Sequence, residues 1–256
     1  MSATPRLFVT PDLVHGNAIA LDDEQSNYLL RVLRLSVGAP VRVFNGRDGE
    51  WAAEIGAVQG KRASLLPVEQ VRAQPEPAAS APVLLFAPVK KAETDFIVEK
   101  ATELGAARIC PVLTERTQTR TVRLDRFQKI ALEAAEQTER LDLPEVVDLQ
   151  PMAAALSGLA GGTLVIFCDE RGDETDAPWG GEVGRAGPVA DVLAGVGEVP
   201  VAILIGPEGG FTPEERAWLR GRSDTRAVSL GPRILRAETA AVAALSVWQA
   251  LKGDWR

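Results

Sequence analysis

In the first eighty residues the apolar positions come in short runs that alternate with polar ones. LFVTP (7–11), VRVFNG (41–46), WAAEIGAV (51–58) and ASLLPVEQV (63–71) carry the period-two pattern of half-buried strands. Asn45-Gly46 and Asp48-Gly49 are turn dipeptides between two of them. One stretch keeps a helical period instead. Tyr28, Leu29, Val32, Leu33 and Leu35 predict a helix over 23–35. Short strands with one helix predict a small β-barrel over 1–73.

Residues 74–82, QPEPAASAP, are poor in both kinds of pattern and predict a linker. The rhythm then changes. VLLFA (83–87), ARICPV (107–112), LVIFC (164–168), VAILI (201–205) and RAVSL (226–230) are near-continuous apolar runs, as strands buried on both faces require. Helical periods separate them, over 95–104, 125–140, 213–220 and 238–252. The alternation predicts an α/β domain over 83–256 with a mostly parallel sheet. Residues 171–199 are glycine-rich and predict a loop with a short helix.

Charge changes this picture little. The chain of 256 residues has a net charge of −7. That argues against a uniformly basic nucleic-acid binder and leaves a local basic patch open. Lys and Arg number 8 against 9 Asp and Glu in residues 1–80, so the acidity sits mostly in the second part. No apolar run approaches the ~20 residues of a membrane span. The first residues have no run fit for a signal peptide, so a cytoplasmic protein with no membrane partner is expected. Cys110 and Cys168 stand far apart in apolar runs and predict buried free thiols.

Two stretches carry chemistry. The first is Ile205-Gly206-Pro207-Glu208-Gly209-Gly210-Phe211-Thr212-Pro213-Glu214-Glu215, in which a buried strand runs into a glycine-rich turn. Thr212, Pro213 and Glu215 then read as helix cap, first position and capping box. Such turns lie where α/β proteins bind ligands, and glycine lets backbone approach one closely. A side chain at Gly209 is expected to fill space that a ligand needs. A tight strand–helix turn with no ligand has the same spacing. The second stretch is Ser229-Leu230-Gly231-Pro232-Arg233-Ile234-Leu235-Arg236-Ala237-Glu238-Thr239. Here Arg233 and Arg236 stand at a helix start, which the helix dipole disfavours. They are either surface charges or partners of an anion.

Several chemistries are excluded or left unsupported. There is no GxxxxGK[ST] and no GxGxxG after a strand. The one histidine, His15, lies in a predicted turn, and two distant cysteines assemble no metal cluster, so no metal is expected.

LIGPEGGFTPEE (204–215) and SLGPRILRAETAAVAAL (229–245) resemble the SPOUT superfamily of RNA methyltransferases. FIVEKATELGAARICPVLTERT (96–117), RFQKIALEAAEQTERLDLPEV (126–146) and LLRVLRLSVGAPVRVFNGRDGEW (29–51) look like the bacterial family that makes N3-methyluridine in 16S ribosomal RNA. The resemblance spans nearly the whole chain. It implies an N-terminal PUA-like RNA-binding barrel, a C-terminal domain tied in a trefoil knot, and a homodimer.

It further implies S-adenosylmethionine as cofactor, resting on loops that follow Cys168, Ile205 and Leu230. The residues expected there are Cys168, Gly206, Glu208, Gly209, Gly210, Leu230, Gly231, Ile234, Leu235 and Thr239. N3 of uracil is a poor nucleophile until it loses its proton, so the site must favour the anion. Arg236 is the candidate for that charge. Glu136 is a candidate proton acceptor, or else a solvated helix glutamate. Arg6, Arg31 and Arg34 are candidates for RNA phosphates, the latter two expected three apart on one helix face. The alternatives are a methyltransferase of the same superfamily acting on another RNA, and a non-catalytic ribosome assembly factor.

Overall fold

The computed structural model describes residues 4–76, 81–169 and 186–255. The chain divides into two compact units. The first comprises 1–77 together with 135–143, the second 78–134 and 144–256. The return of residues 135–143 to the first unit is not visible in the hydrophobic pattern.

The first unit is built on strands β1 (Arg6–Phe8), β2 (Ile19–Ala20), β3 (Pro40–Phe44), β4 (Glu50–Gln59) and β5 (Arg62–Arg72), with helix α1 (Asp23–Asn27). They form one mixed sheet in the order β1-β3-β4-β5-β2, with β1 parallel to β3 and the other pairs antiparallel. Leu7, Ile19, Leu29, Val41, Val43, Ile55 and Leu65 fill its core. The helix predicted over 23–35 is shorter and irregular. After α1 the chain widens into a π-helical turn over Tyr28–Val32, and the Leu33 N–H reaches the Tyr28 carbonyl at 2.9 Å. Arg34 then takes φ 56°, and the Leu35 N–H closes on the Leu29 carbonyl at 2.9 Å. The widened turn buries Leu29 completely. Arg31 and Arg34 therefore do not share a helix face, which corrects the expected paired grip.

The second unit contains β6 (Val83–Phe86), α2 (Lys91–Glu103), β7 (Arg108–Leu113), most of α3 (Leu124–Gln137), β8 (Glu145–Val146), β9 (Gln150–Pro151) and α4 (Met152–Ser157). There follow β10 (Leu164–Cys168), β11 (Gly187–Pro188), α5 (Val189–Ala194), β12 (Val201–Ile205), α6 (Pro213–Arg220), β13 (Thr225–Ser229) and α7 (Ala237–Leu251). All pairings are parallel, in the order β11-β13-β10-β12-β6-β7-β8, and β9 pairs with β7. The apolar runs read as buried strands are the central ones, and every residue of β12 is buried.

Helix α2 begins four residues before the predicted start. The Thr94 hydroxyl receives the Val89 N–H at 3.0 Å, which orders the turn ahead of the first apolar position. Of the glycine-rich segment, α5 is the short helix expected in it; residues 170–185 lie outside the described residues. One face of α7 is buried through Ala240, Ala241, Ala244, Leu245 and Trp248, whereas Val242, Ala243 and Val247 are only half-buried. Cys110 lies in the core on β7, where burial pushes its thiol up to about 11, so it stays protonated and unreactive at neutral pH. No helix among the described residues is long and apolar enough to cross a membrane, and no group of acidic, histidine and cysteine residues among them could hold a metal.

Candidate active site

β10, β12 and β6 are neighbours, so the loops leaving their C-terminal ends meet. They enclose a cavity of about 430 Å³. Lys90 comes from the β6–α2 turn and Glu93 from the first turn of α2, Cys168 and Asp169 from the end of β10, and Ile205 to Glu208 with Gly210 and Phe211 from the end of β12 and the turn after it. Arg216 of α6 and the segment Ile234–Ala237 with Ala240 close it. The volume suits one small organic ligand, for which sites of ~300–1,000 Å³ are usual.

The turn after β12 is held on all sides. Thr212 caps α6 by accepting the Glu215 N–H at 3.2 Å, and the Glu215 carboxylate returns to the Thr212 N–H at 2.9 Å. The same carboxylate accepts the Glu115 N–H at 2.8 Å. Gly210 takes φ +67° and donates to the Pro207 carbonyl at 2.8 Å. A Cβ at Gly206 would stand 3.0 Å from the Phe211 ring, so a larger residue would press on that ring. Phe211 is buried edge-on to Phe167, at 6.0 Å between centroids.

The turn before α7 is held differently. Gly231 takes φ +108°, and its N–H meets the Ser229 hydroxyl at 3.2 Å. Arg236 occupies the N-cap position, yet no side chain caps the helix there. The guanidiniums of Arg233 and Arg236 make no hydrogen bond or ion pair among the described residues, and Arg236 lines the cavity. Ile234 also lines it and is 65 % exposed, a large apolar side chain that a ligand would cover.

A buried ionic cluster forms part of the wall. Asp169 is 5 % exposed and Arg216 8 %. The Arg216 fork grips the Asp169 carboxylate at 2.8 and 3.1 Å, and Arg220 joins at 3.0 Å. Two charges this deep are stable only when paired and hydrogen-bonded. Sequence reasoning missed the cluster. Its trace was there: Arg216 and Arg220, one turn apart on α6, address an acid at the end of a buried strand.

The structure sorts the expected residues. Cys168, Gly206, Glu208, Gly210, Ile234, Leu235 and Arg236 line the cavity. Gly209 does not. It borders a small adjoining cleft, where its carbonyl accepts the Arg116 guanidinium at 2.8 Å. Leu230, Gly231 and Thr239 are also outside the wall. Leu230 packs into the core, Gly231 supplies the bend, and Thr239 faces solvent.

Two residues are engaged elsewhere, both within the first unit. Glu136 accepts the Phe8 N–H at 2.9 Å, so its carboxylate is tied to β1 and lies outside the cavity wall. Arg6 is corrected as a phosphate ligand. Its side chain is 8 % exposed, pairs with the equally buried Glu50, donates to the carbonyls of Ala135 and Arg140 at 2.8 Å, and lies 4.1 Å from the Phe44 ring centre. All three guanidinium nitrogens donate inside the fold. Arg31 and Arg34 remain exposed.

Comparison with known proteins agrees with this architecture. Residues 76–249 match the family model described as an RNA methyltransferase domain, and 21–68 match the RNA methyltransferase PUA domain. The chain is 34% identical over 251 residues to the ribosomal RNA small subunit methyltransferase E of Synechocystis sp., covering 96% of this chain and 77% of that one. It is 31% identical over 242 residues to the Rickettsia conorii protein of the same name, covering 94% and 93%. The Neisseria gonorrhoeae ribosomal RNA small subunit methyltransferase E, crystallised bound to S-adenosyl methionine, superposes with a TM-score of 0.83 at 28% identity, covering 99% of this chain and 100% of that one. A parallel-sheet domain with its cavity at the strand ends and a PUA domain before it, matched over this length, is a family signature: the chain belongs to the RNA methyltransferase family.

Proposed function

We propose that this chain transfers the methyl group of S-adenosylmethionine to N3 of a uridine in the 16S ribosomal RNA of the small subunit. The observation that carries the reading is the Arg236 guanidinium, unpaired among the described residues, on the wall of a cavity built from neighbouring parallel-strand ends.

The residues present fit the cofactor. The half-exposed apolar surface of Ile234 and Leu235 suits a flat heterocycle, and Gly206 and Gly210 offer cavity-lining backbone that carries no side chain. Glu93 and Glu208 give the wall acidic groups suited to a cationic ligand. When bound, the cofactor supplies an electrophilic methyl on a sulfonium.

The chain's own residues do the rest. A uracil ring set in line with that methyl must shed its N3 proton, and negative charge spreads to its carbonyl oxygens. Arg236, which lines the cavity and has no hydrogen-bond or ion-pair partner among the described residues, stabilises that charge. N3 lies on the pairing edge of the base, so the target is unpaired or flipped out. Glu136, expected as the proton acceptor, is held by the Phe8 N–H; Glu93 and Glu208 are the glutamates that line the cavity, and one of them takes the N3 proton instead.

The N-terminal PUA domain, through Arg31 and Arg34, holds the RNA backbone. A homodimer covers the half-buried apolar flank of α7. After β13, near one edge of the sheet, the chain returns so that α7 packs on α2 and β12, a path compatible with the trefoil knot of the SPOUT superfamily. The enzyme works in the cytoplasm.

The test is mass spectrometry of 16S RNA from cells lacking the protein. N3-methyluridine should vanish and return with the wild-type chain, but not with Arg236→Ala. Retention of the modification in the deletion strain overturns the target. Its loss together with full restoration by Arg236→Ala overturns the role of that arginine.

A further inference from the structure

We infer that Arg116 is a positioning residue for the cofactor turn, clasping it from outside the cavity wall. Arg116 sits in the loop after β7 and is exposed, and it lies outside the wall of the large cavity. Its guanidinium donates to the Gly209 carbonyl at 2.8 Å and to the Phe211 carbonyl at 3.4 Å. Its Cβ and Cδ lie 3.6 and 3.5 Å from where a Gly209 Cβ would stand, so the stem packs flat on the backbone of the turn. The neighbouring Glu115 N–H adds a bond to Glu215, whose carboxylate also caps α6.

These contacts have one effect. The two carbonyls that Arg116 binds flank Gly210, which lines the cavity and has no side chain to anchor it. A turn of three glycines in five positions has many backbone conformations available, and each must be excluded for its N–H and carbonyl groups to meet a ligand. One cation gripping the carbonyls before and after Gly210 excludes most of them. The arrangement preorganises the turn before any ligand arrives. Lys at this position would keep the charge and lose the planar fork.

The inference rests on the reading that the cavity holds S-adenosylmethionine, and the experiment separates the two. Full-length wild type, Arg116→Ala and Arg116→Lys are compared by calorimetric titration with S-adenosylmethionine and by hydrogen exchange of the Gly210 amide without cofactor. Arg116→Ala should raise Kd roughly tenfold, about the loss of one charge-assisted hydrogen bond, and should speed Gly210 exchange by a similar factor. At saturating cofactor its kcat should stay within about twofold. Arg116→Lys should fall between the two, and it carries the test if Arg116→Ala does not fold. Unchanged Kd and unchanged exchange overturn the clasp, as does a fall in kcat at saturating cofactor with Kd unaltered. A wild type that binds no S-adenosylmethionine overturns the proposed function instead, while the exchange measurement still decides whether Arg116 orders the turn.

Discussion

The turns after β12 and β13 are written in the same way, a buried strand, Gly-Pro, and a helix shortly after, but they are held in different ways. The first has a capping box, an aromatic wedge in Phe211 and the outer grip of Arg116. The second has one serine hydroxyl, an uncapped helix and two arginines without partners among the described residues. A turn supported by its own chain is a preformed surface, and one left unsupported stores unsatisfied groups for a ligand to satisfy. The cavity between them thus has a rigid wall and a reactive wall. Uncompensated charge is found on the reactive wall because a guanidinium already paired would have nothing left for a developing anion.

The largest expected effect breaks the reactive wall. Arg236→Ala should lower single-turnover methylation of small-subunit RNA ~10²–10³-fold at saturating cofactor, with Kd for S-adenosylmethionine unchanged. A weakened Kd with a normal rate would make the second turn a binding surface like the first. The next effect breaks the rigid wall. Gly206→Val pushes a side chain into the Phe211 ring, which a Cβ alone would meet at 3.0 Å. Displacing that ring should cost ~1–3 kcal/mol in overpacking and weaken cofactor binding, read by thermal melting and calorimetry on one sample.

Much of this contrast was legible in the sequence. The buried strands 83–87, 164–168 and 201–205 announced themselves as apolar runs, and Thr212-Pro213-Glu214-Glu215 spelled out its own cap. The supports were not legible, because they come from far along the chain. Arg116 reaches Gly209 across 93 positions, and Asp169 meets Arg216 across 47. Arg6 misled for the same reason. An arginine near the start of a chain reads as a surface cation, and only the return of residues 135–143 to the first unit surrounds it with carbonyls. Gly209 misled in a narrower way, since of three glycines in a turn the sequence cannot tell which faces the cavity.

Helix capping separates the two turns as well. Thr212→Ala removes the N-cap of α6 and should cost ~1 kcal/mol of stability. Arg236→Ser is the opposite experiment, since it gives α7 the cap it lacks and removes a cation from a helix start. It should raise stability by ~0.5–1 kcal/mol while methylation falls as for Arg236→Ala. Chemical denaturation of both variants reads the two signs. A destabilised Arg236→Ser would mean that the arginine is a structural part of the second turn.

The smallest effect separates two adjacent glycines. Gly209 has no positive φ, and a Cβ there would meet the Arg116 stem at 3.5 Å, an ordinary contact. Gly210 takes φ +67°, where open space is available but an L residue is strained by ~1–2 kcal/mol. Gly209→Ala should therefore leave stability within ~0.5 kcal/mol of wild type and Kd for S-adenosylmethionine within about twofold, whereas Gly210→Ala should lose ~1 kcal/mol or more. The ordering follows from backbone angle and not from free volume, since Gly210 has the more room of the two. Parallel melting curves and titrations of the two alanine variants test it. If Gly209→Ala were the more damaging, the outer face of the turn would be the face that meets the ligand, and the rigid wall assigned to this turn would have to be turned around.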